Sequence, residues 1–214
     1  INEKLFESQD FILTAIDFEK DPEADAAYSL NLRYAKYWCD SFIKPLSRNE
    51  FKKKYEKIEK KVDEARNVVH FAIRQKTDQH LIGYLRLWML WSQGVGWLVL
   101  AIGDPEQYGK AEQQIIPLAL NYAFKELNLY RVEYDLPEYE GEIGNILTAN
   151  GFSMLNLHHI SLTVFEYNPR GVRSYEKAGF KREGVQRQFL HRDGRRWDMY
   201  RMGILKSEWE ELTR

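Results

Sequence analysis

The chain has 214 residues, 44% of them apolar and 14% aromatic, which is ample for a substantial core in a single domain over residues 1–214. Its formal net charge is −1, leaving no overall field to draw nucleic acid or an anionic membrane surface, so neither is expected as a partner. The only cysteine, Cys39, excludes an internal disulfide and a cysteine-based metal site.

No stretch approaches the roughly 18 consecutive apolar residues of a membrane span. No signal-peptide pattern opens the chain either, so a cytoplasmic protein is expected.

The segment FILTAID (11–17) reads as a strand. Asp21-Pro22 opens a helical pattern that runs through Cys39, with proline at an early position where its missing N–H costs little. Ser47 followed by Glu50 is a capping-box signature for a second helix over about 48–65. That helix interleaves Lys52, Lys53, Lys54, Lys57, Lys60 and Lys61 with glutamates, which describes a solvated face rather than an anion-binding patch. VVHFAIRQ (68–75) is a strand, and LIGYLRLWMLW (81–91) with VGWLVLAIG (95–103) reads as a hairpin around Ser92-Gln93-Gly94. Trp88, Trp91 and Trp97 cluster around this hairpin as core, or as the lining of an acceptor pocket.

A loop over Asp104–Lys110 leads to a helix over Gln113–Leu127, with Ile116, Leu120, Ala123, Phe124 and Leu127 on one face. The tail from Val185 to Leu205 holds two strands around Asp193-Gly194, a strong hairpin signal.

Between helix and tail the chain repeats itself. Residues 127–152 and 155–180 align without a gap at an offset of 28 positions and share 7 identities in 26. Unrelated segments would share roughly 1 or 2, so internal repetition is the first hypothesis. Each copy is a strand leading into a helix that ends at Gly-Phe, where glycine suits the left-handed cap. The strands carry Val132, Tyr134 and Leu136 in the first copy and Ile160, Leu162 and Val164 in the second. Strands that are first antiparallel and then joined by helices imply a mixed sheet with helices on both faces.

This order resembles the GNAT superfamily of N-acetyltransferases. Ile102-Gly103-Asp104-Pro105-Glu106, then Tyr108-Gly109-Lys110 and LALNYAFKELNL, are similar to that family's fourth strand, phosphate loop and following helix. NLHHISLTVFEYNPRGVRSYEKAGFKREG (156–184) looks like its fifth strand and fourth helix, and the finish RDGRRWDMYRMGIL resembles the branch that acetylates ribosomal-protein N-termini and small amines. The resemblance implies an α/β (α+β) fold: a mixed, mostly antiparallel sheet flanked by helices, here with an extra strand–helix unit. It implies acetyl-CoA as donor and a small-molecule or peptide amine as acceptor. Ile102 and Gly103 would hold the pantetheine arm, and Tyr108, Gly109, Lys110 and Ala111 the pyrophosphate. Asn168 would steady the pantetheine, and Tyr175 would protonate the departing thiolate as catalytic acid.

The loop departs from the family's Gln/Arg-x-x-Gly-x-Gly/Ala pattern. One glycine survives, and Glu112 falls near the expected pyrophosphate, where a carboxylate repels an anion unless it turns to solvent. In the first copy the positions matching Asn168 and Tyr175 are Glu140 and Leu147, so that copy is chemically silent. Either copy may pair with strand four, or one may swap with another chain to form a homodimer; short connections favour the first copy. No general base is evident, with Glu138, Glu166 or a water relay open, and His158-His159 reads as surface or packing. A catalytically silent member of the fold, used for ligand binding or protein association, is the rival reading.

Overall fold

The computed structural model describes residues 5–39, 43–134 and 158–212. The chain gathers into two compact units, residues 1–132 and residues 133–214.

In the first unit β1 (Phe11–Thr14), β2 (Val68–Gln75), β3 (Leu81–Leu90) and β4 (Val95–Ile102) pair antiparallel in that order, and β5 (Arg131–Tyr134) follows beside β4. The β3–β4 hairpin closes through a tight turn at Trp91–Gln93 and Gly94, whose φ of 62° is one a β-carbon would disfavour. Tyr130 and Arg131 both donate their backbone N–H to the Gly94 carbonyl (2.7 and 3.1 Å), which seats β5 at the start of β4.

Among the described residues three helices lie between β1 and β2. Instead of the continuous helix expected from Asp21 to Cys39, there are two short ones, α1 (Asp21–Tyr28) and α2 (Leu32–Ala35). The break is tertiary in origin. Ser29 Oγ donates to the Ala26 carbonyl (2.8 Å) and accepts the Leu46 N–H (2.8 Å), while Asn31 Oδ1 accepts the Arg33 N–H (2.9 Å) and starts α2 afresh. α3 (Arg48–Ala65) begins at the expected Ser47–Glu50 capping box and ends at Arg66 in the left-handed region. It buries Phe51, Tyr55 and Ile58 and leaves Lys53, Lys57, Lys60 and Lys61 exposed. Tyr34, Trp38, Phe51, Tyr55, Tyr84 and Ala101 form the core between these helices and the sheet.

α4 (Lys110–Asn121) starts three residues before the expected helix and buries Ile115, Ile116, Ala119 and Leu120. Its last stretch, Tyr122–Glu126, widens to a π-helical turn.

In the second unit β6 (His159–Phe165), β8 (Arg195–Leu205) and β7 (Lys181–Arg192) form an antiparallel sheet in that spatial order. Asp193 and Gly194 both have positive φ (54° and 71°), as a two-residue hairpin turn of this hand requires. α5 (Pro169–Lys177) ends at Gly179 with φ 94°, the left-handed cap expected there. α6 (Lys206–Leu212) was not foreseen in the sequence.

The strands therefore divide between two sheets rather than one. Val132 and Tyr134 of the first copy lie in β5, next to β4, whereas the second copy's strand is β6. β6 pairs along its whole length with β8, from His159 opposite Leu205 to Phe165 opposite Met199. Leu136, Glu138, Glu140, Leu147 and the Gly151-Phe152 end of the first copy lie outside the described residues.

Candidate functional site

The end of β4 is pinned to β3: Gly103 and Asp104 donate their N–H groups to the Ile82 carbonyl (2.7 and 3.2 Å). A β-carbon on Gly103 would lie 2.3 Å from the Tyr28 ring, so this glycine is needed for packing whatever else it does. Tyr28 is fixed in turn by its hydroxyl, which donates to the Leu81 carbonyl (2.6 Å).

Asp104 then caps a short turn over Pro105–Gln107, and Tyr108 leads to Gly109, the N-cap of α4. Gly109 has φ 79°, and a β-carbon there would meet nothing within 4 Å, so its side of the loop is open. Its N–H, however, is taken. Glu112 Oε2 accepts it at 2.6 Å, and the Arg33 guanidinium stands 3.7 Å from Oε1 while lying 4.4 Å over the Tyr108 ring. Glu112 is only 2% exposed; it does not turn to solvent but folds onto the helix start. Burial pushes its carboxyl above the usual range, opposed by the backbone N–H groups of Glu112 and Gly109 and by Arg33. Lys110 reaches Asp10 (3.2 Å), and Ala111 is fully buried.

In the second unit Asn168 caps α5: its Oδ1 accepts the Gly171 N–H at 2.9 Å. Tyr175, 1% exposed, packs edge-on to Phe180 with ring centroids 6.1 Å apart, and burial pushes its phenol well above the usual range. Glu166 Oε2 accepts the Asp198 N–H (3.2 Å), and His159 pairs with Glu183 (2.9 Å). Among the described residues no group of three His, Cys, Asp or Glu side chains could hold a metal ion, and no helix is long and apolar enough to cross a membrane.

Three further groups escaped sequence reasoning. Asp25 is buried and accepts hydrogen bonds from the Tyr34 and Tyr55 hydroxyls. His70 and Arg86 face each other across β2 and β3 under the Trp38 ring. The available signal was a lone polar residue at an inward position of an apolar strand, Arg86 between Tyr84 and Trp88.

The fold is that of the GNAT N-acetyltransferases. A Bacillus anthracis acetyltransferase of the GNAT family superposes with a TM-score of 0.55 at 17% identity, over 94% of this chain and 98% of its own. Spermidine N-acetyltransferase from Vibrio cholerae in complex with CoA and spermine gives 0.52 at 22%, over 94% and 98%. In sequence, the spermidine N(1)-acetyltransferase of Vibrio cholerae is 37% identical over 78 residues, 34% of this chain and 45% of that enzyme. The curated relatives are N-acetyltransferases, and the chain spans less than half the length of those it matches, 48% and 45% of the first two. No family model matches the chain.

Proposed function

We propose that the chain is an acetyl-CoA-dependent N-acetyltransferase, with residues 1–214 as one catalytic domain acting on a primary amine of a small molecule or protein N-terminus. The observation that carries this reading is the likeness to N-acetyltransferases in fold and in sequence, in a chain that places the Tyr175 phenol on α5. The similarity to spermidine acetyltransferase supports an amine as acceptor.

Acetyl-CoA supplies the acetyl group as a thioester. Backbone groups of Ile102 and Gly103 take the pantetheine arm, and Tyr108, Gly109, Lys110 and Ala111 take the pyrophosphate at the start of α4. Asn168 steadies the pantetheine. The amine lone pair attacks the thioester carbon, the C–N bond forms as C–S breaks, the Tyr175 proton goes to the sulfur, and the amine's surplus proton passes through water back to the Tyr175 phenolate. Glu112 and the Lys110–Asp10 pair both oppose phosphate binding, so modest cofactor affinity is expected. A cytoplasmic homodimer completes the reading, and light scattering of the purified protein tests the dimer.

Calorimetric titration with acetyl-CoA, followed by a thiol-release assay with spermidine and with a short peptide, tests the function. Binding with CoA release on adding an amine supports it. Absence of heat and of any thermal shift at millimolar acetyl-CoA overturns it.

A further inference from the structure

The near-zero overall charge of the chain conceals a local excess on the β7–β8 hairpin. Lys181 to Leu205 holds seven basic side chains against three acidic ones, Glu183, Asp193 and Asp198. Six of the seven are arginines, with Lys181 the one lysine. Three have acidic neighbours: Arg182 meets Glu176 (3.2 Å), Arg192 meets Asp193 (3.5 Å), and Arg195 stands 3.8 Å from Glu166. Arg187, Arg196 and Arg201 are exposed, and among the described residues no acid pairs with them.

The register of the sheet shows which face carries this charge. On β6, Ile160, Leu162 and Val164 are buried, while Ser161, Thr163 and Phe165 lie half-buried on the opposite side. That second face continues onto β8, with Phe165 opposite Met199 and Thr163 opposite Arg201. It therefore sets Arg195, Trp197, Met199 and Arg201 in one row, about 20 Å long.

Aromatic rings gather on the same face. Tyr167 stacks on Phe165 with centroids 5.2 Å apart and meets Trp197 edge-on at 5.5 Å. The Arg192 guanidinium lies 4.9 Å over Tyr167, and that of Arg195 lies 4.0 Å over Trp197. These rings are covered, but the guanidinium on Trp197 is not: the Arg195 side chain is 62% exposed, which leaves its outer plane to solvent.

Phe189 supplies a second open plane. β7 bulges between Gln186 and Leu190, with Gln188 at φ 53°, a conformation that side chains rarely adopt. Asp198 Oδ1 accepts the Gln188 N–H (2.8 Å) and fixes the bulge. Phe189 emerges from it 56% exposed, with its ring 6.3 Å from Phe165. A rare backbone conformation locked by a side chain, beside an aromatic left in water, points to a surface kept for contact.

Single-stranded nucleic acid matches both features, with phosphates for the arginines of the row and bare base faces for the two open planes. An acidic peptide supplies charge but no regular series of planar faces. A duplex hides its base faces inside the stack. An anionic membrane attracts lysine as well as arginine, whereas arginines laid on rings use a planarity that lysine lacks.

We infer that this face of the β6–β8–β7 sheet binds single-stranded nucleic acid. Bases stack on Phe189 and on the outer plane of Arg195, and Arg201 holds a phosphate. Such binding needs no acetyl-CoA.

The test is fluorescence anisotropy of the full chain with a fluorescein-labelled oligouridylate of about 12 nucleotides. The strand should bind at least tenfold more tightly than an RNA duplex of the same length, and more weakly as salt rises. Phe189→Ala should weaken binding about tenfold, the size of one lost base stack. Arg201→Gln should weaken it too and lower the slope of log affinity against log salt by about 0.7. Both side chains are exposed, so these variants alter the surface and spare the core. No binding at low salt, equal affinity for strand and duplex, or unchanged affinity in either variant overturns the assignment. Oligoglutamate or phosphatidylserine vesicles binding as tightly as the strand would overturn it as well, making the face an acidic-peptide or a membrane contact.

Discussion

Burial raises two side chains of the proposed site, Tyr175 and Glu112, with different consequences. For Tyr175 it raises the phenol further above its ordinary 10.0, so the group holds its proton at neutral pH and is a weaker acid than a free phenol. Tyr175→Phe removes that proton but keeps the ring against Phe180. Turnover should fall about 10²-fold, a typical share for a general acid, with acetyl-CoA affinity unchanged. Steady-state kinetics beside calorimetry separates the two, and unchanged turnover would remove Tyr175 from the mechanism. For Glu112, burial brings a carboxylate to the N–H that a phosphate would use. Glu112→Gln keeps an acceptor for Gly109 and removes the charge. Acetyl-CoA should then bind about tenfold more tightly, an effect of the size that charge at a helix start supports; equal or weaker binding would mean the carboxylate is no obstacle.

Among the elements, α5 carries two readings of one residue. Asn168 is the cap of this helix, its Oδ1 on the Gly171 N–H at 2.9 Å, and is also proposed to steady the pantetheine. Asn168→Ala should cost about 1 kcal/mol of stability in a denaturant titration, as lost N-caps do. Asn168→Asp keeps the cap, so its stability should match the parent while acetyl-CoA affinity drops if the amide contacts the cofactor; unchanged affinity leaves Asn168 a cap alone. Elements of this kind were legible because their signals are local. Ser47 and Glu50 sit three residues apart and define the start of α3, and Asp193-Gly194 defines the β7–β8 turn. The α1–α2 break was only partly legible: Asn31 is a local N-cap signal, but Ser29 also acts through Leu46, 17 residues away. The partner of Glu112 was hidden for the same reason: Arg33 reaches it from α2.

At the scale of the molecule, the β3–β4 and β7–β8 hairpins followed from the sequence, while the division of strands between two sheets depended on which partner β6 found. The buried charges were hidden too, and they set how stability responds to pH. Burial, with the nearby Asp21 charge adding to it, pushes Asp25 up to about 8, despite the Tyr34 hydroxyl and Arg74. Against an ordinary value of 3.8, the folded chain holds a proton that the unfolded chain has lost, so this stabilisation is complete below about 4 and disappears as pH rises through about 8. His70, held near 3 against an ordinary 6.5, runs the other way: its contribution is complete above 6.5 and is lost as pH falls toward 3. Between pH 6.5 and 8 His70 is therefore silent, and any decline that an Asp25 substitution abolishes belongs to Asp25. Stability should fall over that window by at most about 2 kcal/mol, lowering the thermal midpoint, and Asp25→Asn should flatten the fall. Parallel pH profiles for parent and variant would mean that Asp25 ionises in the folded chain as freely as in the unfolded one, and that the Tyr34 and Tyr55 hydroxyls fully offset its burial.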